Sequence, residues 1–191
     1  MKLNLGCGNN KLRGFINVDN QISCNPDILA DLEKVPWPFE DDYIDEVILC
    51  HVLEHLGETK AAYLSIIQEL YRVCKPDASV IITVPHPRHD HFLTDPTHVR
   101  PILPDQFTLF SKSANLEWAK QGYANTPLGE FLDVDFEIAE TNWIADEKWV
   151  GKIRKGEIDE GELANLAIHQ NNVVREIKIT LKVLKPNSIR S

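Results

Sequence analysis

The chain lacks paired cysteines, long apolar runs and any excess of positive charge. Its four cysteines, at 7, 24, 50 and 74, form no Cys-x-x-Cys pair and fit no zinc-knuckle spacing. This argues against a disulfide-stapled scaffold and a thiolate zinc module, and the cytoplasm is the expected compartment. No stretch approaches the ~20 apolar residues needed to cross a bilayer, so no membrane role is expected. The opening residues, Met1 to Gly6, do not read as a signal peptide. Lys and Arg number 20 against 29 Asp and Glu, a net charge of −9. Cations hold phosphate backbones, so this balance argues against a nucleic-acid partner, although a local basic groove would survive it. Hydrophobic residues make up 43% of the chain, enough for a packed core, and 191 residues suit one domain.

What is present is a series of short apolar runs with polar ends. Lys2–Leu5 ends at Gly6-Cys7-Gly8, Phe15–Val18 at Asp19, and Asp27–Ala30 at Asp31. Glu46–Cys50 ends at His51, and Ser79–Val84 at Pro85. Such runs, bounded by Gly, Pro and Asp, suggest buried parallel strands. Between the last two, Tyr63, Ile66, Ile67, Leu70 and Cys74 recur at helical steps and predict a crossover helix over Glu58–Cys74. Further on the period changes to two, in Leu132–Ile138 and again in Ile177–Val183, as in antiparallel strands with one wet face. The expected fold class is α/β, a Rossmann-like, mostly parallel sheet with an antiparallel strand pair at one edge and helices on both faces. Residues 140–172 read as an insertion between the last two strands. It holds Trp143, Trp149, a basic patch (Lys148, Lys152, Arg154, Lys155) and a helix near Glu157–His169.

Ligands of open α/β sheets sit at the carboxyl ends of the strands. Four strand candidates end in a glycine turn, an Asp, an Asp and a His, and their recurrence points to a site. Gly6-Cys7-Gly8-Asn9-Asn10-Lys11 lacks the third glycine of a dinucleotide fingerprint. The next strand follows too soon for more than a turn or two of helix. Both features argue against a nicotinamide oxidoreductase and favour a nucleoside without phosphates.

With these motifs in order, the chain resembles the class I S-adenosylmethionine-dependent methyltransferases, in particular a small group whose first helix is nearly absent. Leu3 to Gly8 resembles the family's glycine-rich first motif, and Asn17-Val18-Asp19 the acidic end of its second strand. Asp27 to Leu32 resembles its third motif, Pro36 to Asp45 the loop into its fourth strand, His51 to Leu56 the segment after it, and Leu70 to Pro76 the end of its crossover helix. The resemblance implies S-adenosyl-L-methionine as cofactor. It places Leu5, Gly6, Cys7, Gly8 and Asn9 near the methionine part, Asp19 and Asn20 at the ribose, and Asp31 with Leu32 at the adenine. His51 is placed beside the sulfonium and the acceptor. Asn9, Asn10 or Lys11 is left to hold the cofactor carboxylate. It implies methyl transfer to a small-molecule or sugar-type acceptor, at oxygen before nitrogen. A non-catalytic cofactor-binding domain and a nucleic-acid methyltransferase are the alternatives, and a homodimer is left open.

Four of the seven histidines lie in 85–103, a segment expected to cover the site as a lid. Three readings stand side by side. One histidine, His91 or His98, is a general base. Alternatively His86, His89, His91, Asp90 and Asp95 bind a divalent metal. In the third reading the segment is structural, with Asp95 and Thr97 capping turns. His51 and His55 flank Glu54 in an order that is not the zincin pattern. Pro104–Phe110 is expected to form a short helix shaping the acceptor pocket.

Overall fold

The computed structural model describes residues 1–186. The chain builds β1 (Lys2–Leu5), β2 (Ile16–Asp19), β3 (Ile28–Leu29) and β4 (Ile44–Cys50), then α1 (Lys60–Val73) and β5 (Cys74–Pro85). After these come α2 (Asp90–Leu93), α3 (Lys112–Gln121), α4 (Leu128–Leu132), β6 (Phe136–Ala145), α5 (Glu147–Arg154), α6 (Glu160–His169) and β7 (Val174–Val183). One seven-stranded sheet runs in the order β3-β2-β1-β4-β5-β7-β6. The first five strands pair in parallel, and β7 runs antiparallel to both β5 and β6. The order reverses at β1 and β4, which opens a crevice at their carboxyl ends.

Helix α1 begins where Thr59 caps it by accepting from the Ala62 amide. Its inner face, Tyr63, Ile66, Ile67 and Leu70, joins the core formed by Leu3, Leu5, Val47, Leu49, Val80, Ile82, Ile177 and Ile179. The cover of the sheet's two faces is unequal. On the reverse face Cys50, Thr83, Lys178 and Asn142 form one transverse row, and three of the four are exposed.

Two expected boundaries move. The alternating run from Leu132 does not start a strand there, because α4 occupies Leu128–Leu132 and Asp133 takes a left-handed φ of 52°. The strand then runs on to Ala145, so Trp143 belongs to β6, and the connection to β7 begins only at Asp146.

No helix separates β1 from β2, and a buried amide network replaces it. Asn17 Oδ1 accepts from Asn4 Nδ2 at 2.9 Å and from the Leu12 amide at 2.8 Å. Asn17 Nδ2 donates to Asp27 Oδ2 at 2.8 Å, and Asn4 Nδ2 also donates to the Asn10 carbonyl. The Asn17 backbone amide, first, and then its side-chain amide hold the Asp27 carboxyl below its usual range. Removing the Asn17 side chain orphans several of these groups. Asn17→Ala should lower unfolding free energy by roughly 1–3 kcal/mol in urea titration.

A second buried polar joint fixes the loop before β4. Glu69 on α1 accepts from the Trp37 amide at 2.7 Å and receives Arg72 on both oxygens at 2.8 Å. Trp37 itself is buried, and its Nε1 donates to the Leu32 carbonyl. Arg72, foremost, holds the Glu69 carboxyl below its ordinary 4.5. Stabilisation from Glu69 is therefore present above pH 4.5 and lost as pH falls through the depressed value. Glu69→Gln should be less stable by ~1.5–3 kcal/mol at neutral pH. Chemical denaturation should show that gap closing as the solution is acidified below that range.

Candidate active site at the carboxyl ends of the strands

A cleft of about 400 Å³ crosses the tips of β2, β1 and β4, within the range of small-molecule sites. Gly6, Asp19, Asn20, Asp31, Leu32 and His51 all line it. Leu5 and Cys7 are buried, Asn9 is exposed, and none of the three lines it. Lys11 turns its ammonium to the Asn25 carbonyl.

The local backbone explains the residue types. Gly6 has φ +63°, and a Cβ there would stand 2.5 Å from Val52 Cγ2. Gly8 has φ +49°, and nothing lies within 4 Å of where its Cβ would point. Its amide donates to Asp19 Oδ2 at 2.8 Å, while Asp19 Oδ1 accepts from the Gln21 amide. The carboxylate is thus fixed in orientation, with lone pairs still free for a ligand. Asp31 is held by the Glu33 amide at 3.0 Å and pairs with Lys34.

His51 follows β4 in a left-handed conformation, φ 55°, and its amide donates to the Thr83 carbonyl. A bulky residue in this region stores strain, a common feature of functional turns. The turn sets Nδ1 3.4 Å from Glu54 Oε1 and Nε2 3.7 Å from Glu176 Oε1. The Glu54 carboxylate, joined by Glu176, raises the imidazolium pKa against the opposing effect of burial. Neither glutamate was legible as a partner of His51 from spacing alone. Glu54 follows three residues on, a weak signal. Glu176 reaches the site because β7 pairs it with Pro85.

The histidine-rich segment divides. His86 and His89 turn inward, at 6% and 5% exposure. Burial, first, pushes the His86 imidazole down, and its Nδ1 accepts from the Arg88 amide. His89 Nε2 lies 3.3 Å from Asp146 Oδ2. His91 is exposed on α2 with its ring against His89, and it does not line the cleft. Asp95 Oδ1 accepts from the Thr97 amide and hydroxyl, the turn-capping contacts expected of that pair. His98 folds back to Glu54 and His55 instead. The set His86, His89, His91, Asp90 and Asp95 does not converge as metal ligands. Among the described residues, the grouped ligand-type side chains are Glu54, His55 and His98. The segment is docked by the Val99 and Arg100 amides, which both donate to the Glu54 carbonyl at 2.9 and 3.2 Å. The Arg100 guanidinium also donates to the Gly57 carbonyl and lies 4.1 Å over the Tyr63 ring.

A second chamber of about 710 Å³ lies between β6, α6 and the start of the histidine-rich segment and shares no lining residue with the cleft. Leu103, Trp143, Leu163, Ile168 and Val174 give it an apolar wall, with His86 at one side. Pro104–Phe110 forms a 3₁₀ turn whose Phe107 and Phe110 enter the core, so only the neighbouring Leu103 reaches the chamber.

Residues 9–82 match the family model described as "Methyltransferase domain". No curated protein matches the chain. Among solved structures it is similar to an S-adenosylmethionine-dependent methyltransferase from Archaeoglobus fulgidus. That likeness has 20% identity and a TM-score of 0.56, covering 95% of this chain and 85% of the other. A putative S-adenosylmethionine-dependent methyltransferase from Listeria monocytogenes is similar at 13% identity and TM-score 0.54, covering 96% and 91%. A complex between the Haloferax volcanii Trm112 methyltransferase activator and the putative methyltransferase is similar at 11% identity and TM-score 0.55, covering 96% and 82%. These likenesses share the fold found here.

The cleft fits an adenosyl cofactor on its own chemistry. Backbone without a side chain borders it at Gly6, two fixed carboxylates, Asp19 and Asp31, stand along it, and Gly8 does not line it but holds Asp19 through its amide.

The left-handed turn gives a direct test of strain. His51→Gly should be about 1 kcal/mol more stable than His51→Ala, because only glycine occupies this φ freely. Paired urea unfolding curves of the two variants measure the difference.

Proposed function

We propose that this chain is a class I S-adenosyl-L-methionine-dependent methyltransferase that methylates a small hydroxyl compound, with His51 receiving the proton. The observation that carries this reading is the position of His51. Its imidazole stands in the cleft wall between Glu54 and Glu176, and Glu176 is the strand partner of Pro85, next to His86 of the apolar chamber.

In this reading Gly6 and Gly8 let the backbone approach the methionine part of the cofactor. Asp19 and Asn20 take the ribose hydroxyls, and Asp31 with Leu32 meets the adenine. The bound cofactor supplies a methyl group already activated by a positive sulfur. The chain's own task is then to align the acceptor and remove its proton. His51 lies where both needs meet. Its two carboxylate neighbours stabilise the imidazolium formed after proton transfer, and its 44% exposed side chain can return the proton to water. The apolar chamber favours an aromatic or similarly flat acceptor over a sugar. The nearby basic patch is small, and Lys148 and Lys152 are spread over the Trp149 ring, which gives little support for a nucleic-acid substrate.

The test pairs calorimetry with turnover. S-adenosylhomocysteine should bind wild type and His51→Asn with similar affinity, and Asp19→Ala at least tenfold more weakly. A labelled methyl group should pass to hydroxyl compounds in a mixed panel, with kcat in His51→Asn reduced by ~10²–10⁴. Transfer to amines alone would overturn the oxygen assignment. Saturable binding without transfer to any acceptor would mark a non-catalytic domain.

A further inference from the structure

We propose that Glu54, His55 and His98 form a binding site for one first-row divalent cation, zinc before others, where the histidine-rich segment docks on the turn after β4. One ligand atom from each of the three side chains lies within 4.8 Å of the others. Glu54 is fully buried, and neither carboxylate oxygen meets a hydrogen-bond donor. His51 Nδ1 approaches one of them at 3.4 Å without hydrogen-bond alignment. A buried carboxylate left in this state is strongly disfavoured unless a cation faces it; a protonated His51 is one such cation for Oε1, and it leaves Oε2 unpartnered.

Both imidazoles are held in the tautomer that a metal requires. His98 Nδ1 lies 2.8 Å from the Phe92 carbonyl, which can only accept, so Nδ1 carries the proton and Nε2 the lone pair. His55 Nδ1 lies 2.9 Å from Thr97 Oγ1, and the Thr97 hydroxyl gives its own proton to Asp95 Oδ1 at 2.6 Å. Thr97 can therefore only accept from His55, which leaves the His55 Nε2 lone pair free. Histidines bound to metals show this arrangement, with the second ring N–H on a carbonyl or on a carboxylate-linked group. The two rings meet edge to face, with centroids 4.5 Å apart. Asp95 Oδ2, at 3.9 Å from His98 Nε2, is too distant for a hydrogen bond.

Two imidazole lone pairs and a bare carboxylate repel one another unless a positive charge lies among them. Two nitrogens and one carboxylate suit zinc and its first-row neighbours, with a further coordination position open. His55 also lines the cofactor cleft, so the ion would stand in the wall shared by cleft and lid. It would fasten His98 of the lid to the turn that carries His51. The inference uses no feature of methyl transfer, and an inactive chain that binds the ion would leave it intact.

Cobalt(II) titration of the metal-stripped full chain, read by visible absorption and calorimetry, tests it. One cobalt ion per chain should bind, with the d–d bands of a four- or five-coordinate site, and zinc should displace it. Glu54→Gln and His98→Ala should each weaken binding at least 100-fold. Thr97→Val, a change in a positioning residue only, should weaken it by ~10-fold. His169→Ala, on exposed α6, should leave the titration unaltered. Circular dichroism checks the fold of each variant, and His55→Ala replaces Glu54→Gln if the latter does not fold. Absence of saturable cobalt uptake by folded wild type would overturn the proposal. So would the same affinity and spectrum in both His55→Ala and His98→Ala.

Discussion

The shape of the crest depends on one buried side-chain amide. In a doubly wound sheet the first helix normally satisfies the peptide groups after β1 and fixes the angle of the glycine turn. Here Asn17 performs that task from the neighbouring strand, binding Asn4 on β1, the backbone of the following loop and Asp27 ahead of β3. The glycine turn is then held on its other side by Asp19, through the Gly8 amide. One carboxylate therefore shapes the loop and also lines the cleft. Ligand recognition and loop geometry cannot be separated at this position.

The opposite wall is organised by the turn after β4. His51 enters it left-handed, Glu54 is buried at its centre, and the Glu54 carbonyl anchors the returning histidine-rich segment through two amides. Arg100 continues this docking onto Gly57 and Tyr63. Gly57 is required there because any Cβ would stand 2.5 Å from the Tyr63 backbone. A few residues thus connect the histidine-rich segment, the crossover helix and the turn that carries His51.

Much of the fold was legible because its signals are local. Runs such as Glu46–Cys50 and Ser79–Val84 are parallel strands, and of the residues that end such runs Gly6, Asp19, Asp31 and His51 line one crevice while Pro85 does not. The structure departed from the sequence reading where a backbone conformation intervened. Asp133 turns left-handed and delays β6. The histidine-rich segment looked like a single ligand cluster because its members are adjacent in sequence. In space His86 and His89 turn inward, His91 faces water, and only His98 returns to the turn after β4. The contacts of Glu176 and Asn17 gave no signal, since they join segments that meet only once the strands have paired.

The bare side of the sheet has a chemical consequence. Cys50, adjoining His51, has its thiol on that wet row. Open access alone would make it a target for alkylating reagents and peroxide. Desolvation of the sulfur, with the negative charges of Glu176 and Glu54, raises the thiol pKa and suppresses the reactive thiolate. Burial of the sulfur, foremost, and the same two glutamates that face His51 thus lower the thiolate fraction of a cysteine in an exposed row.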